Sequence, residues 1–211
     1  MCIRDSFMGT ALTIRALIGE RAIFLREQAV GLSTTAYMLA KMAVFTVFAI
    51  IQSAIVTSIA VIGKGWGPGA TEAGVFIGNR SLELFVDIAM TTIAAGMVGL
   101  ALSALARSQE QIMPLLVVAI MSQLVFSGGM IPVTDRLVLD QLAWLTPARW
   151  GFAASASTID LTRLVPSPLS PNDSHWHHTP AAWWFDMAML VVICVGYTSF
   201  VRWKIRLAAA N

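Results

Sequence analysis

Between Ile14 and Leu32 apolar residues recur every three or four positions: Ile14, Ile18, Ala22, Leu25, Ala29 and Leu32. That spacing lays one apolar stripe along a helix, with Arg15, Glu20, Arg26 and Glu27 off the stripe. A helix so divided lies against a membrane surface or another protein and does not cross the bilayer. Four later stretches do have the roughly 20 mostly apolar residues that a crossing needs: Tyr37–Gly63, Leu82–Ala106, Gln111–Val133 and Ala182–Trp203. Their charges gather near the ends, as Lys41, Glu83 and Asp87, Asp186 and Arg202, and the third stretch carries none. Phe7–Ala16 reads as the last turns of a truncated earlier span. The pattern predicts an all-α membrane protein with four transmembrane helices, an amphipathic helix over 14–33 and a long loop over 134–181. That loop is too long for a bare connector. Leu137–Trp144 and Arg149–Leu164 are expected as short helices at, or dipping into, the membrane interface.

Composition agrees. The chain is 57% hydrophobic and 12% charged, with a mean hydropathy of +0.73. Soluble domains carry about 25% charged residues, so too little polar surface is present to cover a soluble globule. No Lys/Arg cluster stands beside aromatics in a polar segment, which leaves nucleic-acid binding without support. Arg15, Arg21, Arg26 and Lys41 precede or enter the first span, Arg107 lies in the 107–110 turn, and Arg202, Lys204 and Arg206 close the last span. The 134–181 loop has Arg136, Arg149 and Arg163 against Asp135, Asp140, Asp160 and Asp173. The positive-inside rule then predicts both ends and the 107–110 turn inside, with 64–81 and 134–181 outside. Trp183, Trp184 and Trp203 bracket the last span as interfacial anchors. Met1–Ser6 fits neither a signal peptide nor the helix after it; it reads as a non-native string ahead of a C-terminal fragment, residues 7–211. Cys2 and Cys194 make no disulfide framework.

Few residues offer chemistry. Glu83 and Asp87 share one helical face at i, i+4; ionisable groups in a membrane are costly and often functional, yet these stand close enough to the helix start to form an interfacial polar cap. Gln52 and Gln123 are deeper and suit hydrogen bonds between helices. Gly96, Gly99 and Ser103 make a small-residue face for close packing, either within the protomer or at a dimer seam. His175-Trp176-His177-His178 lacks the spacing of a zinc site. The Gly63–Gly69 turn lacks Walker A spacing, and no G-x-S-x-G, H-E-x-x-H or pair of catalytic aspartates supports an intramembrane enzyme.

Two stretches carry a family resemblance. Glu20-Arg21-Ala22-Ile23-Phe24-Leu25-Arg26-Glu27, then Gly31-Leu32-Ser33, Ala36-Tyr37 and Lys41, resembles the connector ahead of the third transmembrane helix in G-subfamily, ABC-2 type ATP-binding cassette exporters. Phe126-Ser127-Gly128, followed by Trp144-Leu145-Thr146-Pro147-Ala148-Arg149-Trp150-Gly151-Phe152, resembles the end of their fifth helix and the loop after it. The wording is closest to actinobacterial exporters that fuse a forkhead-associated domain and an ATPase to this membrane domain, and whose substrates are thought to be cell-envelope glycolipids.

The resemblance makes the four spans helices three to six of a six-helix permease domain. It implies a cytoplasmic-membrane exporter working by alternating access, with no cofactor in this chain. ATP and magnesium would be bound by a nucleotide-binding domain, fused upstream or separate. The second half would be another copy of the membrane domain. Residues 14–33 become a coupling helix, with Glu20, Arg21, Phe24, Arg26 and Glu27 as contacts to the ATPase; the competing reading is a surface anchor. Val117, Met121, Val125 and Gly128 share a face that would line the substrate path, or serve ordinary helix packing. Gly129 and Met130 stand where some relatives carry two leucines as a plug, so the gate is wider or is simply a glycine hinge. The alternative function is a non-transporting membrane scaffold that recruits a cytoplasmic partner through residues 14–33.

Overall fold

Inside a bilayer each backbone N–H and C=O needs a partner within the segment, and only a helix supplies that to a single span. The computed structural model describes residues 2–20, 23–24, 26, 30–31, 33–64, 74–106, 108–129, 137–161 and 174–210. In chain order the helices are α1 (Cys2–Thr13), α2 (Ala16–Gly19), α3 (Thr34–Lys64), α4 (Arg80–Leu105), α5 (Ile112–Phe126, entered through a 3-10 turn at Gln109–Gln111), α6 (Leu137–Ala143), α7 (Pro147–Thr158) and α8 (Pro180–Ala210), with a 3-10 turn at Ser174–Trp176 before the last. No strand occurs among the described residues. Four helices are long and apolar enough to cross a membrane: α3, α4, α5 with its entering turn, and α8. The expected all-α membrane architecture is the one observed.

Helix α4 is the centre. Its most apolar stretch is 67% buried within the protein, against 17% for α3, 17% for α5 and 28% for α8. It begins at Asn79, whose side chain accepts hydrogen bonds from the backbone of Ser81 and Leu82 at 3.1 and 3.4 Å, a good N-cap. The small face Gly96-Gly99-Ser103 packs inside this chain, against α1 and α2. A Cβ on Gly99 would overlap Thr10 and Thr13, so glycine permits the approach. Thr13 Oγ1 donates to the Gly96 carbonyl at 2.8 Å, and Thr10 Oγ1 to that of Ala95 at 3.2 Å. Ser103 Oγ accepts from the backbone N–H groups of Leu17 and Ile18 at 3.1 and 3.3 Å, supplying partners that the start of a helix otherwise lacks. Gln123 joins α5 to α1, accepting from Ser6 Oγ and donating to Thr10 Oγ1 at 2.9 Å. The interhelical role expected of Gln123 is thus its observed one. No structural boundary falls after residue 6: Asp5 and Ser6 are buried within α1.

The loop 134–181 is largely folded. Helix α7 starts at Pro147, a residue suited to the first helical turn, and every residue from Pro147 to Thr158 except Phe152 is buried. Its run of glycine, alanine and serine makes that possible. It lies antiparallel along the first half of α4, with Gly151 against Thr91 at one end and Thr158 bonded to Glu83 and Asp87 at the other. This helix therefore dips into the bundle instead of lying on its surface.

Two boundaries differ from expectation. The third span, expected over Gln111–Val133, ends as a helix at Phe126, because Gly128 turns left-handed at φ +78°, a conformation glycine adopts without steric cost. Apolar residues after the helix kept the hydropathy high. The single helix expected over 14–33 is also broken. Helix α1 stops at Thr13, α2 is four residues long, and Gly31 has φ +107°. Ile14, assigned to the surface stripe, is wholly buried. Residues 21–22, 25, 27–29 and 32 lie outside the described residues.

Candidate functional site

At the Glu20 end of the bundle, the first resemblance block closes on itself. Glu20 accepts from Tyr37 Oη at 3.3 Å and pairs with Lys41 Nζ, so the connector is latched to the start of α3. Phe24 is buried, its ring centroid 4.6 Å from that of Tyr37. Of the five expected ATPase contacts, Glu20 and Phe24 thus face this chain. Arg26 is exposed, beside Ile23, also exposed. Arg21 and Glu27 lie outside the described residues. The Glu, Tyr and Lys of the motif were visible in the sequence; that they touch each other was not.

The expected substrate path divides. Val117 and Met121 are exposed on α5 together with Met113 and Val118, and Val125 is half-buried. Gly128 leaves that face: it lies past the helix end, buried, where a Cβ would overlap the Arg149 guanidinium. Gly129 is exposed but abuts the Phe152 ring, which a Cβ there would strike. Met130 lies outside the described residues. The two halves of the second block, Phe126-Ser127-Gly128 and Pro147–Phe152, therefore meet in space. Arg149 is buried and 3.7 Å from Asp140 of α6. Trp150, wholly buried, donates through Nε1 to the Trp144 carbonyl at 3.1 Å and packs edge-on against Phe185 and His175.

At the opposite end of the bundle, the tryptophan end, Glu83 and Asp87 are wholly buried, so the water-reaching polar cap expected of them is not what forms. Glu83 accepts three backbone N–H groups, from Val75, Phe76 and Ile77, at 3.0, 3.0 and 3.2 Å. It thereby folds the preceding segment back onto its own helix. Trp183 Nε1 donates to Asp87 Oδ1 at 2.8 Å, and Thr158 Oγ1 lies 2.9 Å from Glu83 Oε1 and 2.8 Å from Asp87 Oδ2. Sequence reasoning found the carboxylates by their spacing but missed Thr158, whose partners lie 71 and 75 positions away, and read Trp183 only as an interfacial anchor. Three elements, α4, α7 and α8, are joined there. No group of metal-ligating side chains occurs among the described residues.

A buried central span, a short helix packed along it, apolar flanking spans and a connector tied to the first of them are the setting in which both motif blocks stand. The chain belongs to the ABC-2 type transporter family, whose model matches residues 6–159. It is therefore a multi-pass membrane protein of the ABC-2 permease class. Among its curated relatives is the "ABC transporter ATP-binding/permease protein Rv1747" of Mycobacterium tuberculosis, 70% identical over 203 residues. That match covers 96% of this chain and 23% of the relative, so the chain spans about a quarter of the relative's length.

Proposed function

We propose that this chain is the permease part of an ATP-driven exporter that moves a lipidic or amphipathic substrate, of the cell-envelope glycolipid class, by alternating access. The observation that carries this reading is 70% identity, across nearly the whole chain, to a protein whose name joins ATP binding to a permease. The exposed apolar face of α5 (Met113, Val117, Val118, Met121) suits a wall shared with a second copy, since methionine adapts to varied apolar shapes. In this reading the Glu20 end faces the cytoplasm, as the basic residues suggest, and both ends of the chain lie there. The nucleotide-binding domain, carrying ATP and magnesium, docks beside Arg26. Its closure reaches α3 through the Glu20–Lys41–Tyr37 latch, which ties Glu20 to the start of the first span.

The test is transport by the full-length exporter in proteoliposomes, with a fluorescent glycolipid analogue on one leaflet. ATP-dependent appearance on the other leaflet is expected, and Val117→Trp with Met121→Trp is expected to reduce it while ATP hydrolysis persists. ATP hydrolysis without any lipid movement would remove the export reading and favour the scaffold.

A further inference from the structure

In the Glu83–Thr158–Asp87 cluster a single hydroxyl stands between two buried carboxyl groups. Thr158 Oγ1 is within hydrogen-bond distance of an oxygen of each carboxyl group, 2.9 Å from Glu83 Oε1 and 2.8 Å from Asp87 Oδ2. A hydroxyl has a single proton and donates one hydrogen bond. Were both acids ionised, one of these contacts would set two oxygen lone pairs against each other in a dry interior, where an unpaired charge is expensive. The remaining partners say which acid is neutral. Both oxygens of Glu83 accept backbone N–H groups, the environment of a carboxylate anion. Asp87 Oδ1 accepts from Trp183 Nε1, and Oδ2 faces only the hydroxyl in the contacts that hold it.

We propose that Asp87 is a resident proton-binding site: a neutral carboxylic acid whose Oδ2–H donates to Thr158 Oγ1, while Thr158 donates onward to Glu83 Oε1. Every polar atom of the cluster then has a partner, and the pair carries one negative charge. The directional chain Asp87 to Thr158 to Glu83 ties α4 to α7, and the Trp183 bond adds α8. Other charged or titratable groups on the surrounding elements are Arg80 on α4, Arg149 on α7 with Asp160 just after it, Asp186 near the start of α8 with Cys194, Tyr197, Arg202, Lys204 and Arg206 farther along it, His175, His177 and His178 in the segment before α8, and Arg4 and Asp5 on α1. His178 Nδ1 closes the end of α7 by a 2.7 Å bond to the Ser157 carbonyl. This inference is independent of which substrate is carried.

The test uses the full-length exporter in lipid nanodiscs at neutral pH. Infrared difference spectra between wild type and Asp87→Asn are expected to show a protonated-carboxyl C=O band present only in wild type. Asparagine reproduces the neutral acid, its Nδ2–H donating to Thr158 and its Oδ1 accepting from Trp183. Asp87→Asn is therefore expected to melt within about 2 °C of wild type, whereas Glu83→Gln, which removes the anion facing three N–H groups, melts roughly 5 °C lower or more. A spectrum without that band, or an Asp87→Asn protein that is as unstable as Glu83→Gln or fails to fold, overturns the assignment.

Discussion

The two ends of the bundle both carry signature residues, and they use them differently. At the tryptophan end Glu83, Asp87 and Thr158 are buried and joined between elements far apart in sequence, and Arg149 is buried beside Asp140 of the preceding helix. At the Glu20 end the polar contacts are shallow: the Glu20–Lys41 pair leaves the side chains 43% and 20% exposed, and Arg26 stands in the open. Buried polar groups must find partners, because leaving one unmatched costs about 1–3 kcal/mol, while exposed pairs contribute about 0–1 kcal/mol. The contrast separates residues that fix the fold from residues free to meet something else. By that measure, a motif shared within a family marks structure at one end and leaves room for docking at the other.

If that contrast is right, substitutions should fall in a definite order. Gly151→Val should be the most damaging, at about 3 kcal/mol, because any side chain there drives into Thr91 and α7 cannot seat; loss of a monodisperse peak in detergent size-exclusion would register it. Gly128→Ala should follow at about 2 kcal/mol, since it combines a left-handed backbone with overlap on Arg149, seen as a lowered melting temperature. Glu20→Ala should cost about 1 kcal/mol or less and yet weaken transport per ATP hydrolysed, measured in proteoliposomes. Arg26→Ala should leave the melting temperature unchanged and act only on that coupling ratio. A large stability loss from Arg26→Ala, or none from Gly151→Val, would erase the distinction between the two ends.

The spans were legible because bilayer burial imprints a long apolar run. The interior was not. Nothing in the sequence near Asp87 names Thr158 as its partner, and the glycine and alanine content of α7 hints at close packing without saying against what. The third span looked longer than it is because hydropathy is blind to a left-handed glycine. The 14–33 helix looked continuous because periodicity persists through turns, while Ile14 was taken from the stripe into the core. Glu20, Tyr37 and Lys41 stood in one motif block, but nothing in their spacing said that they touch.

The shortness of α5 has a consequence for the lipid itself. Its 15 helical residues extend about 22 Å, whereas the 31 residues of α3 extend about 46 Å, against a hydrocarbon core of about 30 Å. Lipid adapts to such mismatch by thinning or thickening, at a fraction of a kcal/mol per ångström. The two helices therefore ask different thicknesses of one membrane: α5 is shorter than the core, whereas α3 has length to spare and is accommodated by tilt.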